Sequence, residues 1–210
     1  MNTLNVRMVS DGGRTYAIET KQYDKLENIL LHARNEMTSP CIYHMLSWVH
    51  DAETFRDSKR DLIKLFKRKL RKQYKSLKQE VPDTLIAYSV EFKETDIDEI
   101  KNHNTFEDRR MSLTVGEKLP FLHLHFYIIA DCKKCRPDAF VKYAKDALDE
   151  IPGLSKARYF PSISGDIYKK VKDDPDDVFR RLLYIGKMNQ KTPEIPYRET
   201  FGASQIKNKL

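Results

Sequence analysis

The chain has 210 residues and a formal net charge of +7; 40% of its residues are hydrophobic and 33% charged. That balance fits a globular protein able to bury a core in one domain, or in one domain with an N-terminal extension. No apolar run approaches the ~18 residues of a membrane span and the N-terminus lacks a signal-peptide pattern, so the protein is predicted to be cytoplasmic, without a membrane partner. Three cysteines, an odd number, argue against a disulfide framework.

Residues 4–20 read as a hairpin turning at Asp11-Gly12-Gly13, and a helix from Asp24 to Met37 follows with Leu26, Ile29, Leu30 and Ala33 as its apolar stripe. Pro40 closes this extension, residues 1–40. Cys41 to Val49 is predicted to be a strand. From Arg56 to Lys78 eleven basic residues face two acidic ones, Asp57 and Asp61, so this stretch alone carries an excess of nine and leaves the rest of the chain near −2. Leu62, Ile63, Phe66, Leu70, Tyr74 and Leu77 recur there at helical spacing, which makes it an amphipathic helix with one packed face. Lys67 and Arg71 stand among the cations of its other faces. A solvated face is the plain reading, but like charges at i,i+4 repel, and the imbalance points to a polyanion such as nucleic acid.

Thr84 to Lys93 is the next predicted strand. Residues 94–117, centred on Asn102-His103-Asn104, read as a long polar connection of the kind that often carries function. The following strand, Pro120 to Ile129, alternates strictly: Leu122, Leu124, Phe126 and Ile128 take one face, and His123, His125 and Tyr127 the other. Cys132-Lys133-Lys134-Cys135 has half the spacing of a zinc site without a second pair and reads as ordinary thiols at a strand end. A helix from Pro137 to about Ile151, a strand from Ala157 to Ile163 and a helix from Asp176 to Gln190 complete the order β-α-β-β-α-β-α. That order predicts an α+β fold, a ferredoxin-like antiparallel sheet with helices on one face and the other face open for a site.

Two imidazoles one strand repeat apart, about 7 Å between α-carbons, can turn onto one metal ion, although solvated imidazoles satisfy the same spacing. In the strand 84–93, Ile86, Tyr88, Val90 and Phe92 share one face and Ala87, Ser89 and Glu91 the other. Glu91 is therefore predicted beside His123 and His125, a two-His, one-carboxylate set with positions left for substrate oxygens. Glu117 is the rival third ligand. On the last helix, Tyr184 and Lys187 share a face that Arg180 and Lys191 extend. A phenol is a poor nucleophile near neutral pH, and neighbouring cations stabilise its phenolate. A packed tyrosine with a solvated lysine is the plain alternative.

A His-hydrophobic-His strand followed by a helical Tyr-x-x-Lys resembles the HUH endonuclease superfamily. With its tyrosine downstream of the His strand, the chain is similar to replication initiators; relaxases carry theirs near the N-terminus. Tyr184-Ile185-Gly186-Lys187-Met188-Asn189-Gln190-Lys191 and Thr200-Phe201-Gly202-Ala203-Ser204 resemble the inovirus-type replication proteins. The resemblance spans residues 41–204, leaving 205–210 as a tail. It implies that His123, His125 and Glu91 hold Mg²⁺ or Mn²⁺ against a phosphate of single-stranded DNA at an origin. Tyr184 would then form a 5′-phosphotyrosine link and release a priming 3′-hydroxyl, while Lys187 stabilises charge. Arg180, Lys191, Lys67 and Arg71 are the candidate DNA contacts. No Gly-rich Lys-Ser/Thr loop is present, so a host helicase would unwind and a polymerase would extend the primer. A single-tyrosine transposase and a non-catalytic nucleic-acid-binding sheet are the competing expectations.

Overall fold

The computed structural model describes residues 5–11, 13–96, 118–159, 167–188 and 200–206. The chain opens with a hairpin, β1 (Val6–Asp11) and β2 (Arg14–Glu19), whose turn uses Gly13 at φ 82°. Helix α1 (Thr20–Glu36) follows without a break. The main unit then runs β3 (Pro40–Val49), α2 (Ala52–Lys59), α3 (Leu62–Ser76), β4 (Thr84–Asp96), β5 (Lys118–Asp131), α4 (Pro137–Asp149), β6 (Leu154–Tyr159), β7 (Lys169–Lys170), α5 (Pro175–Tyr184) and β8 (Phe201–Ala203). The sheet order is β6-β3-β5-β4-β8, with β7 paired to β3 beyond β6, and every pairing is antiparallel. The fold is thus α+β, and β5 and β3 each sit in the gap left by a helical crossover, the split β-α-β order.

The sheet does not have one open face. Its first face packs Tyr43, Met45, Ile86, Val90, Leu124, Phe126 and Ile128 against Phe55 of α2, Phe66 and Leu70 of α3, and Phe140 and Leu148 of α4. Its second face packs Ile42, Leu85, Ala87, Tyr127 and Ile129 against Leu26, Ile29 and Ala33 of α1, Val178, Leu182 and Leu183 of α5, and Tyr16 and Ile18 of the hairpin. The cause is the apolar character of both parities in β3 and in the paired ends of β4 and β5, which demands cover on both sides. Each fully buried Leu, Ile or Phe contributes about 1.5–3 kcal/mol, so neither layer is incidental. The hairpin and α1 accordingly share this second core with α5.

Other differences have local causes. The predicted basic helix is two helices, because Asp51 caps α2 through Glu53 and Thr54 backbone N–H groups (3.1 and 3.0 Å) and Asp61 restarts the chain before α3, its carbonyl accepting from Leu65 N at 2.8 Å. β4 and β5 outrun their predicted bounds, pairing in register from Thr84↔Ala130 to Asp96↔Lys118; most of the predicted connection, with Asn102-His103-Asn104, lies outside the described residues. β6 starts at Leu154, ahead of Ala157, because Gly153 (φ 82°) lets the chain reverse where a Cβ would sit 2.6 Å from Phe55 N. The two- and three-residue strands β7 and β8 are too short to leave a periodic signal. Among the described residues, no helix is long and apolar enough to cross a membrane.

Candidate metal centre

The β4–β5 register sets Glu91 opposite His123 and Ser89 opposite His125 on the second face, where strand parity predicts them. Among the described residues, Glu91, His123 and His125 form a group whose ligand atoms all lie within 4.8 Å of one another. Nε2 of His123 is 3.2 Å from Nε2 of His125, which is 3.6 Å from Oε2 of Glu91. A divalent ion about 2.1 Å from its nitrogen and oxygen ligands needs neighbouring donors about 3.0 Å apart in octahedral and 3.4 Å apart in tetrahedral geometry. The spacing of the triad fits such an ion. Glu91 is fully buried and both histidines are 7% exposed, so the cluster lies under the second layer, contrary to the expected open face. Ser89 Oγ donates to Glu91 Oε1 at 3.3 Å and steadies the carboxylate.

Tyr184 and Lys187 reach the triad from the end of α5. The helix stops at Tyr184 and not at Gln190, because Gly186 turns the chain: Gly186 N donates to Leu183 O and Lys187 N to Tyr184 O (3.0 and 3.3 Å). A Cβ on Gly186 would lie 2.9 Å from Ile18 Cγ2. The close approach lets Lys187 bridge to Ile18 of β2, and Met188 N donates to Ala17 O at 3.0 Å. Nζ of Lys187 then sits 3.4 Å from Glu91 Oε2 and 3.3 Å from the centre of the Tyr184 ring. Burial lowers the pKa of Lys187, and the charge of Glu91 opposes that shift. The Tyr184 ring meets His125 edge-on, centroids 5.6 Å apart.

His44 on β3 completes the cluster and was not singled out from the sequence. Its Nε2 lies 2.8 Å from Nδ1 of His125, and its ring stacks on Tyr127 at 4.2 Å and 11°. Burial, helped by the positive charge of Arg181, pushes its pKa down to about 3, so it is neutral at ordinary pH. Burial likewise raises the pKa of Tyr127, keeping its hydroxyl protonated. Leu46 pairs with His125 and His44 with Tyr127; the all-apolar surroundings of His44 in β3 hide its parity.

Other predicted contacts stand apart. Arg180 is on an exposed side of α5, paired with Asp177 at 3.1 Å; its neighbour Arg181 acts on His44, as Lys187 does more weakly. Lys67 and Arg71 belong to α3, behind the opposite face of the sheet. Nζ of Lys67 donates to Thr84 O at 2.8 Å, and burial lowers its pKa. Arg71 is exposed. Lys191 and Glu117 lie outside the described residues. Cys41, distant in sequence, meets Cys132 because β3 pairs with β5; Cys132 in turn contacts Cys135, and all three are free thiols. No family model matches this chain, and no curated protein or solved structure matches it at a significant level of similarity.

Proposed function

We propose that the protein is a single-tyrosine endonuclease of the HUH type, a replication initiator that nicks and rejoins single-stranded DNA at an origin. The observation that carries this reading is the convergence of Tyr184 and Lys187 on the Glu91–His123–His125 triad. Mg²⁺ or Mn²⁺ bound by that triad would polarise the scissile phosphate. Tyr184 Oη attacks the phosphorus in line, a P–O bond to tyrosine forms, and the bond to the 3′-oxygen breaks. The phenolic proton leaves and the 3′-oxygen takes one up, giving a 5′-phosphotyrosine and a free 3′-hydroxyl. Lys187 stabilises the phenolate through the ring it covers and the charge on the phosphorane-like transition state. The reverse attack by a 3′-hydroxyl rejoins the strand. The basic face of α3, lying behind the sheet, would hold flanking backbone phosphates, and a host helicase and polymerase would extend the product.

The test is incubation with a labelled random-sequence pool of single-stranded DNA and Mn²⁺. A covalent protein–DNA adduct is expected in the wild type, none in Tyr184→Phe. Absence of an adduct in the wild type, or its persistence in Tyr184→Phe, refutes the proposal. DNA binding without any adduct would leave the non-catalytic sheet as the better reading.

A further inference from the structure

One contact at the centre has no part in the chemistry just described. His44 Nε2 and His125 Nδ1 are 2.8 Å apart, a separation that requires one shared proton between two ring nitrogens. If His125 carries it on Nδ1, its Nε2 is a bare lone pair facing His123 Nε2 and Glu91 Oε2. If His44 carries it, neutral His125 is protonated on Nε2, where no ion can bind. The ring of His44 lies flat on Tyr127 (4.2 Å, 11°), and its plane is tilted 29° from that of His125 with centroids 5.0 Å apart, which sets the two rings edge to edge. The β3–β5 register fixes that placement from the backbone, since His44 pairs with Tyr127 and Leu46 with His125.

We propose that His44 accepts the Nδ1 proton of His125 and is the positioning residue that holds this imidazole in its metal-binding tautomer. The inference rests on the triad being a metal site. Outer partners of this kind are worth about 10- to 100-fold in metal affinity. His44 differs from the three inner residues in kind: its Nε2 meets the outer nitrogen of His125, and it is not in the group whose ligand atoms lie within 4.8 Å of one another.

The experiment uses the full chain and Mn²⁺ alone. Binding is followed by electron paramagnetic resonance in the wild type, His123→Ala, His44→Phe and His44→Gln, and the His125 tautomer is read from ¹⁵N shifts of the metal-free protein. Phenylalanine keeps the stack on Tyr127 but cannot accept a proton, so affinity should fall about 10- to 100-fold. Glutamine offers a carbonyl oxygen and should recover most of that loss. The wild-type spectrum should show His125 protonated on Nδ1, and it decides the tautomer even if a variant fails to fold. Wild-type His125 protonated on Nε2, or Mn²⁺ affinity within threefold of wild type in His44→Phe, overturns the role of His44 while leaving the metal site standing. Failure of the wild type to bind Mn²⁺, or unchanged binding in His123→Ala, overturns the metal reading itself, and the role of His44 with it.

Discussion

Lys187 occupies the position of a cation beside Glu91, and its removal should be felt most when no metal is bound. The ammonium–carboxylate distance is 3.4 Å, with both side chains almost wholly buried. At an effective dielectric of about 20, that separation corresponds to a gross attraction of about 5 kcal/mol. Deleting one member of a buried pair strands the other, at about 3–5 kcal/mol. Lys187→Met keeps the volume and removes the charge, so in metal-free protein its melting temperature should fall by about 6–20 °C, at 2–4 °C per kcal/mol for a chain of this size. With saturating Mn²⁺, Glu91 regains a counter-charge and the penalty should shrink to the lost contact with the Tyr184 ring, about 1–2 kcal/mol. Thermal unfolding followed by circular dichroism, in EDTA and in Mn²⁺, reads both quantities. The double variant Glu91→Gln/Lys187→Met removes both charges and should recover most of the metal-free loss without responding to Mn²⁺. A Lys187→Met melting temperature within about 2 °C of wild type in EDTA, or equal Mn²⁺ shifts in both proteins, refutes the reasoning.

Two further expectations concern the frame. A Cβ at Gly202 would lie 2.3 Å from Tyr88 Cε1. Because the Tyr88 hydroxyl also donates to Lys59 O at 3.3 Å, Gly202→Ala should cost about 1–3 kcal/mol in urea unfolding; no change would mean that β8 yields freely. The Asp131 carboxylate ties the start of β3 to the end of β5 by accepting from Thr38 N and Ser39 N (2.9 and 2.8 Å). Burial raises its pKa, but these backbone donors outweigh it and the net shift is downward. A depressed folded pKa gives stability that is present above the unfolded carboxylate value and lost as pH falls through the folded one. Asp131→Asn should therefore be less stable than wild type at pH 7, and the gap should narrow in acid titrations below about pH 4; a gap independent of pH would contradict this.

The inner triad was legible because β4 and β5 alternate strictly near Glu91 and His123, and period 2 converts sequence into a face. His44 was not, since Ile42, Tyr43, Met45 and Leu46 bury both faces of β3 and leave no parity to read. The same two-sided burial defeated the expectation of an open face. Tyr184 and Lys187 do lie together, but not on one helix face as the three-residue spacing predicts: the linking geometry is a turn forced by Gly186 against Ile18, a tertiary contact that helical periodicity does not report. Helix α5 stopped early for that reason. The break at Asp61 has a plainer cause: the apolar stripe begins only at Leu62, the first residue of α3, and the polar run 56–61 ahead of it carries no helical spacing that would place the restart.

The bridge between Lys187 and Ile18 also sets an order of assembly. Synthesis delivers the hairpin first and its partner only after most of the described sheet has emerged, so the outer edge of β2 stays unpaired through nearly all of translation. Joining such distant segments carries a loop-closure cost and slows folding, while a bare strand edge invites pairing with other chains. One contact thus seats the buried ammonium and pairs the edge of β2 at Ile18, and the cluster around Glu91 cannot be complete before α5 has met the hairpin.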